Sequence, residues 1–351
     1  MVYVENSEQE VNMKILAIET SCDETAASIV EEDNFRPVVL SEAVASQMAI
    51  HAESGGVIPN VAARLHVENL PAVLKKATDS QRLDYDAVAV TVGPGLIGSL
   101  LVGVAAAKTI AMAKDLPFFA VNHMAGHVYS AWLAPSETGD SKLETGLPQL
   151  PALFVIVSGG HTELVLMERH YRFQLLGATR DDAAGEAFDK VARMLGLPYP
   201  GGPAISELAR HGRSDAIDFP IGLNERDNLD FSFSGLKGAV FHEIQKHPAP
   251  LSEHLRADIA ASFQDTVART ISRKTVAALQ SNPEVRSVCL VGGVAANKHL
   301  RVELEKAVKN ARGDVQFHLA PLQYCTDNAA MIAAAAIFKH LFSKPDDWSL
   351  V

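Results

Sequence analysis

Cysteine is scarce in this chain: Cys22, Cys289 and Cys325 are the three in 351 residues. An odd number with no repeated spacing excludes a disulfide framework and points to a reducing cytoplasmic home. Long apolar runs are missing as well. The most membrane-like stretch, Leu96 to Ala107, ends after 12 residues at Lys108 and is interrupted by Gly98, Ser99 and Gly103, so no membrane span is expected. Residues 1–12 lack the basic and apolar regions of a signal peptide and read as an acidic, flexible extension. Positive charge is short: 31 Lys and Arg face 42 Asp and Glu, for a net charge of −11. The deficit is uneven, with 9 basic against 19 acidic residues in 1–150 and 22 against 23 in 151–351. A polyanionic partner is therefore expected to meet the second half, or to be held by another protein. Finally, no G-x-x-x-x-G-K-[ST] is present, which excludes a P-loop enzyme.

What is present is a globular composition, 48% hydrophobic, long enough for two domains. The halves repeat one order of parts. Lys14 to Thr20, the turn Ser21 to Thr25 and Ala26 to Val30 read as strand, turn and return strand. Leu153 to Val157, Ser158 to Thr162 and Glu163 to Met167 read the same way. Ala87 to Val92 then runs into Gly93-Pro94-Gly95 and a helix, as Ser287 to Val291 runs into Gly292-Gly293 and a helix. A duplicated α/β unit opening on a hairpin predicts an actin-like, sugar-kinase-like fold with a central cleft. Its first domain would span 13–150 and its second 151–351, with an insertion at about 200–251 that has no counterpart in the first half.

Phe118 to Val121 leads to Asn122, a helix-capping residue, and then to His123-Met124-Ala125-Gly126-His127. Histidines at i and i+4 share a helix face and can share a metal ion. In the second half, Val315 to Leu319 leads to Cys325-Thr326-Asp327-Asn328 and a helix from Ala329 to His340. The repeat makes these helix starts equivalent across the cleft, so Asp327 is the candidate third ligand, or a helix cap, or both. A zinc protease needs a Glu after the first His, and here that residue is Met124.

Glycine-rich turns follow three strands, at Gly93 to Gly98, Ser158 to Thr162 and Gly292 to Asn297. Glycine permits close backbone approach, and free N–H groups at the helix starts attract phosphate, so a nucleotide between the domains is expected. Asp181 and Asp182 read as the first turn of a helix running to Leu195, where acids suit the helix dipole; Asp189, deeper in it, can accept hydrogen bonds from ribose hydroxyls or an amine. Asp23 and Glu24 lie in the first hairpin turn. Phe231 to Lys237 sets aromatics beside a base, which suits either nucleotide stacking or a local core cluster.

Taken together, Ile18 to Thr25, Gly93 to Leu96, His123 to His127, Val157 to Thr162, Asp181 to Lys190, Tyr199 to Pro203, Phe231 to Lys237 and Cys325 to Asn328 closely resemble the tRNA adenosine threonylcarbamoyltransferase family, formerly described as O-sialoglycoprotein endopeptidases. The likeness runs from about Met13 to His340. It implies transfer of a threonylcarbamoyl group from threonylcarbamoyl-AMP to N6 of the adenosine beside the anticodon, in tRNAs reading codons that begin with A. It further implies that His123, His127 and Asp327 hold one divalent metal, iron or zinc, and that Ile156, Val157, Ser158, Gly159, Gly160, Asp189, Gly202 and Asn297 bind the adenylate. Partners implied are tRNA, a smaller actin-like paralogue and a P-loop ATPase subunit, with no membrane; whether Mg-ATP also binds in that complex is left open. Asp23 and Glu24 are the candidates for taking the amine proton, and Lys237, Lys298 and Arg301 for meeting tRNA. The competing readings are a metalloprotease, an ATP phosphotransferase of the sugar-kinase kind and a silent partner subunit.

Overall fold

The computed structural model describes residues 12–79, 84–133, 146–225, 227–342 and 345–346. Apart from its last residue, the extension expected over 1–12 lies outside them.

The first sheet has the order β3-β2-β1-β4-β5, built from β1 (Lys14–Glu19), β2 (Glu24–Asp33), β3 (Arg36–Ser46), β4 (Ala87–Gly93) and β5 (Phe118–Asn122). β1 pairs antiparallel with β2 (Lys14 opposite Glu31) and parallel with β4 (Ile15 opposite Ala87). β1 and β4 are apolar almost throughout, as parallel strands covered on both faces must be. The second sheet repeats the plan as β10-β9-β6-β7-β8, from β6 (Ala152–Val157), β7 (Thr162–Arg169), β8 (Arg172–Ala178), β9 (Ser287–Val291) and β10 (Gln316–Leu319). β6 pairs antiparallel with β7 and parallel with β9, as β1 does with β2 and β4. The expected duplication is therefore present strand for strand.

The short α1 (Met48–Ser54) leads into α2 (Pro59–Asp79), which with α3 (Ile97–Lys114) packs on the first sheet. At 18 residues α3 is longer than the 12-residue apolar run suggested, and by length and composition it could cross a membrane. Here it buries Leu100, Val104, Ala107 and Ala111 while packing against α2 and β4. In the second half, α5 (Ala184–Met194), α6 (Gly201–Ala209), α7 (Ser234–Gln245), α8 (Glu253–Ser281) and α9 (Lys298–Ala311) form a helical layer.

Two helices cross between the halves. α4 (His123–Tyr129) follows β5 of the first sheet yet also contacts β6 of the second. α10 (Ala329–Phe342) follows β10 but packs on the first sheet and on α4. Every residue from Ala329 to Phe338 is buried, which explains its small side chains: six of these ten are alanine, so strands and α4 can approach closely. Domain limits read along the chain gave this helix to the second half; its packing serves the first. Beyond it, Asp346 accepts from Ala120 N at 2.8 Å and meets Lys339 Nζ at 2.5 Å, tying the end of the described chain to edge strand β5.

Gly126 sits where the crossing helices touch. A Cβ there would lie 2.7 Å from Ile332 Cδ1 and 3.2 Å from Met331 Cγ. Gly126→Leu is expected to destabilise the fold by about 1–3 kcal/mol through overpacking and to weaken metal binding by pushing α10 away. Thermal melts and zinc titration check this, and unchanged values of both would contradict the close-contact account.

Candidate metal centre and donor cleft

The Asn122 side chain accepts from Met124 N at 2.9 Å and from Ala125 N at 3.3 Å, so α4 starts as the sequence indicated. His123 and His127 then stand one turn apart, both buried, with ring centroids 4.7 Å apart. Before α10 the cap is Asn328, whose Oδ1 accepts from Met331 N at 2.8 Å. Asp327 is thereby left for the cleft. Its Oδ1 lies 3.4 Å from His123 Nε2 and 3.3 Å from His127 Nε2. One ligand atom from each of the three residues falls within 4.8 Å of the others, a group that could hold a metal ion.

Two further observations fit a metal. His127 is fully buried and neither ring nitrogen makes a hydrogen bond; Nε2 faces Asp327 at close range without hydrogen-bond alignment. Buried polar atoms without partners call for an ion or water. The charges agree: burial alone would lower the pKa of His123, but Asp327 and then Glu19 hold it well above the ordinary histidine range. Burial alone would raise Asp327, yet His123 and then His127 hold it well below the usual carboxylate range. Charges of this kind suit a cation against Asp327.

Across from this centre lies the turn between β6 and β7. Ser158 N donates to His161 O at 2.8 Å and His161 N donates to Ser158 Oγ at 3.1 Å, closing the loop on itself. Gly159 and Gly160 are exposed, and a Cβ on either would meet nothing within 4 Å; the same holds for Gly202 at the start of α6. Ile156 and Val157 are buried in β6, so only their backbone can serve the cleft. Asp189 on α5 accepts from Gly201 N at 2.7 Å, and burial raises its pKa. Asn297 caps α9 through Leu300 N at 3.0 Å and donates to Ser206 Oγ at 3.1 Å and Gln264 Oε1 at 2.9 Å, so its side chain is already engaged.

Several expectations need correction. The helix expected from Asp181 begins at Ala184. Asp181 instead accepts from Phe233 N at 2.8 Å and Ser234 N at 3.2 Å at the start of α7, while Asp182 pairs with Lys190 at 2.7 Å and Lys237 at 2.6 Å. Lys237 is thus tied within the chain, and Arg301 donates to Ala295 O at 2.5 Å and Ala320 O at 3.3 Å; of the three basic candidates, Lys298 stands exposed. Of the two readings of Phe231 to Lys237, the local core cluster holds for its aromatics: Phe231 and Phe233 are fully buried and stacked 6.3 Å apart. In the first glycine-rich turn a Cβ on Gly95 would lie 2.6 Å from Ser21 O, whereas one on Gly93 would meet nothing within 4 Å. In the third, a Cβ on Gly292 would lie 2.5 Å from Val157 O, so the open positions there and in the second turn are not shared evenly.

Asp23 and Glu24 are half-buried opposite these loops. Burial, then the charges of Asp23 and Asp327, hold Glu24 well above the carboxylate range. Tyr199 is pushed up to about 12 by burial and then by Asp23 and Asp189. His161, in the turn across from the metal group, is lowered by burial, then by His123 and His127. Sequence spacing singled out neither role, nor that of Glu19, because each contact joins distant segments.

The turn bearing Asp23 is braced from behind. Buried His66 on α2 meets Cys22 O through Nε2 at 3.0 Å and Thr25 Oγ1 through Nδ1 at 2.8 Å. A carbonyl only accepts, so the ring hydrogen sits on Nε2 and Nδ1 accepts from Thr25. Gln47 joins at 3.4 Å and accepts from His51 Nε2 at 3.1 Å. The network is satisfied with neutral rings, and burial lowers the pKa of His66. The unfolded chain takes up a proton below about pH 6.5 that folded His66 refuses. Stability contributed by His66 is therefore full above that pH and is lost as pH falls from it towards the folded value. Melting temperature should decline on acidification below about pH 6.5, and less steeply in His66→Gln. Equal pH slopes in the two proteins would contradict the assignment.

Comparison with known proteins agrees with this arrangement. The profile of the tRNA N6-adenosine threonylcarbamoyltransferase family matches residues 38–334. The protein of that name from Moorella thermoacetica is 52% identical over 330 residues, 93% of this chain and 92% of its own. That from Ligilactobacillus salivarius is 49% identical over 332 residues, 93% and 92% of the two chains. Among solved structures, full-length HypF in a phosphate- and nucleotide-bound form superposes with a TM-score of 0.59 at 15% identity, over 95% of this chain and 47% of HypF. The HypF of T. kodakarensis gives 0.58 at 12% identity, over 94% and 48%. This chain spans about half the length of those HypF chains, and at such identities the likeness concerns the fold alone. With two sheets of one topology, a His-His-Asp centre between them and close relatives along nearly its whole length, the chain belongs to the tRNA N6-adenosine threonylcarbamoyltransferase family.

Proposed function

We infer that this protein transfers the threonylcarbamoyl group of threonylcarbamoyl-AMP to N6 of the adenosine adjacent to the anticodon in tRNAs reading codons that begin with A. The observation that carries the reading is the meeting of His123, His127 and Asp327 beside open glycine turns in one cleft. Two imidazoles and a carboxylate suit iron or zinc, and leave positions for a substrate. When bound there, such an ion supplies Lewis-acid polarisation of the donor's carbonyl.

The residues of the chain divide the remaining work. Gly159, Gly160 and Gly202 let the donor approach the backbone, whose N–H groups can hold the phosphate and stabilise charge on departing AMP. Asp189 faces the ribose, and Asn297 serves through the local backbone. The N6 nitrogen attacks the carbamoyl carbon, a C–N bond forms, the bond from that carbon to the phosphate oxygen breaks, and AMP leaves. The proton lost by the amine goes to Asp23 or Glu24, the two half-buried carboxyls of the first hairpin turn.

tRNA and a smaller actin-like paralogue are the proposed partners, with a P-loop ATPase subunit acting through the complex. Val67 on α2 and Ile97, Leu101 and Met112 on α3 are exposed apolar residues that support docking of the paralogue. A single preparation tests the reading against a protease: AMP release from the donor and casein cleavage are followed together. Met124→Glu supplies the general base a zinc protease needs, but the open metal positions face a nucleotide donor, so this variant is still expected to leave casein intact. Casein cleavage by the wild type that tracks metal content, without AMP release, would replace this reading.

A further inference from the structure

Glu19 ends β1 and is fully buried. Its Oε1 accepts from Ser21 N at 2.5 Å, and its Oε2 accepts from Thr91 Oγ1 at 2.5 Å and lies 3.2 Å from His123 Nδ1. Ser21 Oγ stands 3.2 Å from the same ring nitrogen. The opposite nitrogen of His123 faces Asp327. The imidazole therefore spans from a buried carboxylate on β1 to the metal group on α4 and α10.

We propose that Glu19 is a positioning residue of the metal centre, holding the hydrogen of His123 on Nδ1 so that the Nε2 lone pair is presented to the ion. A carboxylate facing Nδ1 accepts the ring hydrogen and leaves Nε2 as the base, the way carboxylates behind metal-binding histidines fix the tautomer. Thr91 on β4 and Ser21 N fix the carboxylate in turn. His127 has no such support, since neither of its ring nitrogens is hydrogen-bonded, so His123 is the ligand whose orientation is set in advance. Charge points the same way: a divalent ion against the single carboxylate of Asp327 leaves one positive charge in a buried site, and Glu19 offsets it.

The inference rests on the metal reading above, and the test separates the two. Zinc is titrated against a chromophoric chelator into wild type, Glu19→Gln and His123→Ala, with melting temperatures of the metal-free proteins measured alongside. In Glu19→Gln the Ser21 N–H fixes the amide oxygen at the Oε1 position, so the amide NH2 faces Nδ1, which must then accept, sending the ring hydrogen to Nε2. Zinc affinity is expected to fall about 10–100-fold while the fold is kept. Nitrogen-15 spectra are expected to show Nε2 bound to zinc and Nδ1 protonated in the wild type, and a hydrogen on His123 Nε2 in Glu19→Gln at the same zinc concentration. Glu19→Gln with wild-type affinity, or zinc on Nδ1 of His123 in the wild type, overturns the proposal. Equal zinc binding by wild type and His123→Ala overturns the metal reading itself. Should Glu19→Gln fail to fold, the wild-type spectrum decides alone.

Discussion

Asp327→Ala, His123→Ala and His127→Ala are each expected to lose bound metal and transfer activity while retaining the fold. Loss of a residue that only supports a metal ligand costs about 10–100-fold in affinity, so removal of a ligand itself should exceed about 100-fold. The fold should survive because α4 is capped by Asn122 and α10 by Asn328, independently of the three ligands. Proton bookkeeping adds a signature: without metal, Asp327 and Glu19 keep His123 protonated above the ordinary histidine range, and imidazole must be neutral to ligate. Metal uptake near neutral pH should release a proton, and affinity should fall as pH is lowered through that raised value. Calorimetry in buffers of different ionisation enthalpy reads the proton directly. Full metal occupancy in the His123→Ala, His127→Ala double variant would remove the centre from the account.

Gly160→Val is the second large effect. Nothing lies within 4 Å of the position its Cβ would take, so the fold has room for the new side chain, and metal content should stay close to wild type. On the proposed reading, the same room lets the donor reach the backbone. Losing one backbone donor to a developing charge typically costs about 10²–10³ in rate, and transfer should fall at least that far. Wild-type AMP release from Gly160→Val would place the donor elsewhere. Gly95→Val makes an instructive contrast: its Cβ would meet Ser21 O at 2.6 Å, so that variant should lose stability before it loses anything specific.

The duplicated fold was legible because it is written twice in local pattern, an apolar strand, a polar turn and a returning strand, followed by glycine and a helix. The His pair was legible because Asn122 and the i, i+4 spacing are local signals, and Asp327 because the repeat supplied the symmetry. Glu19 was not, since it meets His123 across 104 residues and nothing in chain order records the contact. The crossing of α10 to the first sheet was hidden for the same reason. Asp181 and Asp182 misled because acids before a helix resemble its first turn; besides Lys190, their partners are Lys237 and the start of α7, some 50 residues on in the segment read as an insertion. Lys237 and Arg301 looked like free bases until their carboxylate and carbonyl partners were in view.

The most direct test of the central claim is mass spectrometry of nucleosides from tRNA incubated with this protein and threonylcarbamoyl-AMP, with and without the partner proteins, while AMP is measured in the same sample. The account predicts N6-threonylcarbamoyladenosine beside the anticodon and AMP in equal amounts, both lost in Asp327→Ala. Unmodified tRNA and no AMP from metal-loaded protein with all partners present would contradict it.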